Sequence, residues 1–421
     1  MLTCRNAAAS FAILYLMSAV TPGLEMRQAF ATEMPPMLSA SRLLSPEILR
    51  SPDHQVSELV RNDGFMNHYE INSRFGVFKA GSTAELRKRS REIGAITAMD
   101  KVKGTKEFGR AAKEAGKGIW DGAKGLVTQP VSTVSNVVSG VGKIFQRAGD
   151  SLFGDPASDA EDSRVRDLIG FSKKKRENAA AYGVDPYSSN KVLQTYLDEV
   201  SWAGYAGGLS VSLGVSAISG TVETAMQVAG ATDILADVMH TTPPVDLRRM
   251  NRERLAAMGV HADLVDLFLG NTVFSPRNQT YLVGALHEMK GVDNRSAFVK
   301  FSVRTEQRDE ALYRQRQAQM YAGYHASVEA IDTFVPVGEL VAARTRSGKL
   351  VFNVPADHLA WTKSLAQVAN YANRNAAAVR NTTDKELWLA GTASDITKTE
   401  LRRLGWKIVE RTESKILATY W

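Results

Sequence analysis

Thiol chemistry is almost absent from this chain. Its single cysteine, Cys4, lies in a stretch that reads as a removable leader, so the mature protein has no thiol. That excludes disulfides, cysteine metal sites and thiol nucleophiles, and leaves core burial to supply stability. Also missing are a G-x-S-x-G elbow, a Walker loop, a G-x-G-x-x-G turn and an H-E-x-x-H pair, so the common hydrolase, nucleotide and zincin routes lack their marks. Long apolar runs are scarce as well. Residues 201–222 carry no charge, yet Gly204, Gly207, Gly208, Gly214 and Gly220 and several serines make them too weakly apolar for an independent spanning helix. They read as a buried helix pair in close backbone contact, with a pore-forming hairpin as the alternative.

What is present is ordinary globular composition, 44% hydrophobic and 23% charged over 421 residues, enough for two or three domains with real cores. Residues 1–31 have the form of a secretory signal peptide. Arg5 gives the positive start, residues 7–20 the apolar region, and Ala29-Phe30-Ala31 a small-x-small cleavage site. The chain is therefore expected to be exported, to a periplasm or an envelope membrane surface.

The most regular stretch runs from Phe108 to Leu152. Apolar residues recur there at 108, 112, 115, 119, 123, 126, 130, 134, 137, 141, 145, 148 and 152, interrupted once by Pro130. Three positions per eleven residues is about 3.67 per turn, so the stripe runs nearly straight along a helix. Lys113, Lys117, Lys124, Lys143 and Arg147 fall off it. Between residues 101 and 147 nine basic residues face three acidic ones, so the chain's excess positive charge is concentrated here. Eight glycines interrupt the segment, each costing about 1 kcal/mol against alanine in a helix interior, so the segment needs a surface on which to fold. Pro130 should divide it into two amphipathic pieces forming a hairpin.

An apolar seam edged with basic residues fits an anionic membrane surface. On that reading Phe108, Ile119, Trp120, Leu126, Val134, Val137, Phe145 and Leu152 enter the interface, and Lys113, Lys117, Lys124, Lys143 and Arg147 meet headgroups. The alternative is a scaffold or envelope-protein partner module with the stripe buried. Nucleic acid is not an expected partner, because the aromatics Phe108, Trp120 and Phe145 are not interleaved as stacking platforms. Gly125-Leu126-Val127-Thr128-Gln129-Pro130-Val131, followed by Gly140-Val141-Gly142-Lys143, resembles the glycine-rich amphipathic modules of chorein-type lipid-transfer proteins. The resemblance covers residues 104–154 and implies association with a membrane. Residues 69–202 also resemble uncharacterised exported bacterial proteins, which implies no mechanism.

The expected fold is mainly α, an irregular helical bundle with a long Gly-rich amphipathic hairpin and a small α+β C-terminal part. Six segments are expected: a leader (1–31), a flexible tether (32–62), a β-hairpin with the amphipathic element (63–155), a linker with one short helix near 164–169 (156–190), a helical domain (191–332) and the α+β part (333–421). Residues 69–71 and 75–78 should pair as the hairpin; Ser82 or Thr83 should start the helix after it, and Ser188 or Asn190 the helix from 192. The spacing also predicts one long helix over 296–331.

No metal or other cofactor is implied, although three sets of possible ligands exist: Asp233, Asp237 and His240; His261, Asp263 and Asp266; and His325 with Glu329. An enzyme with an unrecognised site near 233–240 is the remaining alternative to a non-enzymatic protein. Ser172 and Lys175 satisfy S-x-x-K only through the run Lys173-Lys174-Lys175-Arg176, which reads as solvated surface.

Overall fold

A computed structural model describes residues 32–114, 159–208 and 232–417. Strand β4 (Asn67–Ser73) organises the first sheet because its residues alternate in burial, with Asn67, Tyr69 and Ile71 inward. Along one edge it pairs with β5 (Gly76–Ala80), Ile71 opposite Phe78. This is the expected hairpin. β2 (His54–Val56) and β3 (Leu59–Asn62) also pair antiparallel with β4, and β1 (Met37–Ser39) adds to β3. Residues 37–62, expected to be a flexible tether, thus supply three strands of a five-stranded sheet, together with the short helices α1 (Ala40–Leu43) and α2 (Pro46–Leu49).

Helix α3 (Thr83–Lys103) starts where Ser82 accepts the backbone N–H of Glu85. It lays Leu86, Ile93, Ile96 and Met99 into the core beneath the first sheet. α4 (Lys106–Glu114) follows. The expected linker is instead a single long helix, α5 (Asp159–Ala181). α6 (Lys191–Gly207) is capped by Asn190, whose side chain accepts from Val192 and Leu193. A helical layer comprises α7 (Thr232–Thr241), α8 (Pro244–Ala257), α9 (Ala262–Gly270), α10 (Pro276–Glu288), α11 (Arg295–Val303) and α12 (Arg308–Ser327). The expected single helix over 296–331 is therefore two helices and the start of a strand.

The second sheet has the order β12 (Trp406–Val409), β10 (Lys385–Leu389), β8 (Leu350–Val354), β7 (Leu340–Thr345), β6 (Ile331–Val337). β6, β7 and β8 run antiparallel; β8, β10 and β12 run parallel, joined by crossover helices α13 (Lys363–Ala376) and α14 (Asp395–Arg403). Both faces of this sheet are covered, so β8 reads Leu-Val-Phe-Asn-Val with nearly every residue buried. One face meets α9 to α12, and the other meets α13 and α14 around Leu365, Trp361 and Trp406. A two-stranded pair, β9 (His358–Leu359) with β11 (Thr392–Ala393), and the short α15 (Glu413–Ile416) complete the described chain.

The mainly α expectation is overturned. Two five-stranded sheets, one antiparallel and one mixed, make this an α+β fold. The error has a physical source: β1, β2 and β3 are three or four residues long, too short to display a strand period.

Candidate functional site

α4 is the part of the striped segment that the structure describes in side-chain detail. Phe108, Ala111 and Ala112 are buried with Leu193, Leu197, Val200 and Ala203 of α6, while Lys106, Arg110 and Lys113 face solvent. The close approach depends on Gly207, where a Cβ would lie 2.2 Å from the Ala111 carbonyl oxygen. Phe108, expected to enter a lipid interface, is instead a core residue, 3% exposed. Lys113 is exposed. Ile119, Trp120, Leu126, Val134, Val137, Phe145, Leu152, Lys117, Lys124, Lys143 and Arg147 lie outside the described residues, as does the expected hairpin break at Pro130.

The described candidate metal ligands have other partners or face solvent, and the Asp233 side chain lies outside the described residues. Nε2 of His240 lies 3.1 Å from the Val184 carbonyl oxygen, and Asp237 is exposed. His261 and Asp263 are 3.5 Å apart but open to solvent, and Asp266 pairs with Arg252. His325 Nδ1 accepts the Ile331 N–H, while Glu329 bonds Ser347 and Lys349. Among the described residues no three His, Cys, Asp or Glu side chains are arranged to hold a metal ion. Lys175 pairs with Asp198 rather than with Ser172, and Arg176, expected on the surface, is 6% exposed.

A second constellation, unmarked by any motif, lies where the two sheets meet. In parallel α/β sheets ligands bind in the crevice beyond the carboxyl ends of the strands. Here the chain's own loop occupies that position after β8. Asp357 N and His358 N donate to the Phe65 carbonyl at 3.0 and 3.2 Å, Ala360 N donates to Gly64, and Asn62 Nδ2 donates to the His358 carbonyl. The Asp357 carboxylate accepts the backbone N–H groups of Asn67 and Thr83 at 3.1 and 2.9 Å, the second at the N-terminus of α3. Burial pushes this carboxyl up from its ordinary value, against the pull of those amides and of Arg316. Arg316 itself bonds Glu413 at 2.8 Å, and Arg87 of α3 reaches the same carboxylate at 3.0 Å.

Beside this seam Met66, Ser82, Glu85, Asp309, Tyr313 and Arg316 surround a void of about 10 Å³, the size of one water molecule. The arrangement ties the two sheets together. Sequence reasoning missed it because its partners are separated by hundreds of residues: Asp357 meets Asn67 across 290 positions. The one local signal was the N-cap of α3, a helix start available to an anion.

No family model, no curated protein and no solved structure matches this chain.

Proposed function

We propose that this is an exported, non-enzymatic protein, peripheral to an envelope membrane, that holds an anionic lipid surface through its basic, apolar-striped segment. The observation that carries the reading is the two-sidedness of α4. Its apolar side anchors the start of the segment in a rigid core, and Lys106, Arg110 and Lys113 remain in solvent. The stripe and its lysines continue in sequence from that anchored turn, so a folded body delivers them as a unit. No helix among the described residues is long and apolar enough to cross a membrane. With Phe108 in the core, the inserting residues are those from Ile119 onward.

The burial of Phe108, Ala111 and Ala112 against α6 favours a second reading, in which the rest of the stripe is buried likewise and the protein is a partner-binding scaffold. Flotation of the purified mature protein with vesicles decides between them. Membrane binding predicts recovery with anionic vesicles well above neutral ones, and loss of recovery in the Ile119→Asp, Phe145→Asp double variant with its thermal unfolding unchanged. Unfolding of that variant would place the stripe in the core and overturn the membrane reading; so would equal flotation of the variant and the wild type.

A further inference from the structure

We infer that Glu85 and Asp309 form a proton-operated clasp between the first turns of α3 and α12, open when both carboxylates are ionised and closed when the pair holds one proton. The two helices belong to different halves of the fold: α3 lies beneath the first sheet and α12 packs on the second. Their starts meet at Gly81. A Cβ there would lie 3.3 Å from Asp309 Oδ2 and 3.7 Å from Glu85 Oε2, so both carboxylates face one point, and glycine leaves that point open. The same two side chains line the water-sized void with Ser82, Tyr313 and Arg316. It has room for one bridging water.

The cluster holds more negative than positive charge. Glu85 Oε1 accepts from Arg89 at 2.8 Å, and its Oε2 accepts the Gly81 N–H at 2.9 Å. Arg89 is shared with Glu92, which it meets at 2.7 Å. The neighbouring cations are committed elsewhere. On α3, Lys88 pairs with Asp185 at 2.8 Å and Arg87 with Glu413 at 3.0 Å; across the void, Arg316 pairs with Glu413 at 2.8 Å. Asp309 has no ion-pair partner among the described residues, and Arg314 of its own helix is taken by Glu310. One guanidinium is divided between two carboxylates while a third faces Glu85 uncompensated.

Two influences decide where a proton goes. Both acids sit in the first turn of a helix, whose dipole favours their charge, and Asp309 is open to solvent. Glu85 is enclosed: burial, and the like charge of Asp309, push its carboxyl above its ordinary value against the pull of Arg89, the Gly81 N–H and Lys88. The proton resides on Glu85 and is donated towards Asp309, directly or through one water, and the two groups titrate as a pair. A glutamate whose folded value is raised costs stability while it is ionised. That cost is present above the folded midpoint and is removed as pH falls from there to the ordinary glutamate range, below which the unfolded chain is protonated as well. Mild acid tightens the seam between the two halves.

The test is carboxyl titration by nuclear magnetic resonance on the full chain carrying isotope-labelled glutamate, with the Glu85 signal assigned from its backbone resonances. Wild type should show a Glu85 midpoint well above the ordinary glutamate range. Asp309→Asn, which removes an exposed and unpaired carboxylate, should lower that midpoint by about 1 pH unit. Urea unfolding reads the clasp itself: moving from about pH 7 to about pH 5.5 should raise the urea midpoint of wild type more than that of Asp309→Asn or Glu85→Gln. A wild-type Glu85 midpoint in the ordinary range overturns the clasp without recourse to any variant. A midpoint unmoved by Asp309→Asn, or a pH response of the urea midpoint equal in all three proteins, overturns it too.

Discussion

Between Lys106 and Glu114 the apolar residues lie on one side of the helix, and the core takes only that side. The helix Arg308–Ser327 begins Arg-Asp-Glu-Ala-Leu-Tyr-Arg-Gln-Arg-Gln-Ala-Gln-Met, the signature of a solvated helix, yet residues 313–324 are buried without a break. The contrast between α4 and α12 shows how differently a helix can reach the interior. α4 does so through transfer of apolar surface and adapts to whatever apolar surface is offered. α12 does so by pairing most of its buried polar groups with specific partners, Arg314 Nε and the Tyr324 hydroxyl being left without one among the described residues. Arg314 bonds Glu310 at 2.9 Å and lies over the Phe301 ring at 3.8 Å. Arg316 bonds Glu413, Gln315 accepts from Asn278 at 2.7 Å, and Gln317 donates to the Asn353 carbonyl at 2.9 Å. Such a helix fits one environment, because a polar group buried without its partner costs more than the pair contributes.

That contrast is broken most severely at α12. Replacing Arg314 by Met leaves Glu310 buried and uncompensated, and a loss of about 3–5 kcal/mol in unfolding free energy is expected from urea titration. Glu310→Leu introduced into the same chain should recover part of it, since no buried charge is then unpaired, although the Glu306 N–H and Gln317 Oε1 lose their partners. If the single and double variants are equally destabilised, the pair is not what seats this helix and Phe301 stacking becomes the larger contribution.

A smaller loss is expected where α4 meets α6. At Gly207 an added Cβ would meet the Ala111 backbone at 2.2 Å, and neither helix backbone can yield locally. Gly207→Ala should cost about 1–3 kcal/mol, the usual range for overpacking. Because only the apolar side of α4 is committed, hydrogen exchange in residues 106–114 should rise in this variant while α12 stays protected. Equal loss of protection in both helices would mean that the two regions unfold as one unit.

What the sequence revealed divides along the same line. The hairpin of β4 and β5 and the Ser82 and Asn190 caps were legible because each rests on residues within a few positions of one another. The pairing of residues 37–62 with β4 was not, since strands this short carry no period and their pairing is decided by the sheet they join. Nor was the burial of α12. Nothing in Arg314 or Gln317 announces that Glu310 and Asn353 will satisfy them, and composition alone argues for solvent. The same holds for the sheet junction, where Asp357 finds its partners at Asn67 and Thr83. The striped segment has the most regular pattern in the sequence, and most of it lies outside the described residues.

The mildest perturbation bears directly on that segment. Gly109 is exposed in the middle of α4, its backbone is not in the left-handed region, and an added Cβ would meet nothing within 4 Å. Gly109→Ala should therefore stabilise the folded protein by about 0.5–1 kcal/mol, raising the urea midpoint. The gain appears only if α4 is already helical in the free protein, as its burial against α6 requires. Were the segment to become helical only on a vesicle, the substitution would leave the urea midpoint unchanged and instead increase flotation with anionic lipid. A raised midpoint with unaltered flotation would place the lipid-dependent part of the stripe beyond Glu114, leaving α4 as its fixed root.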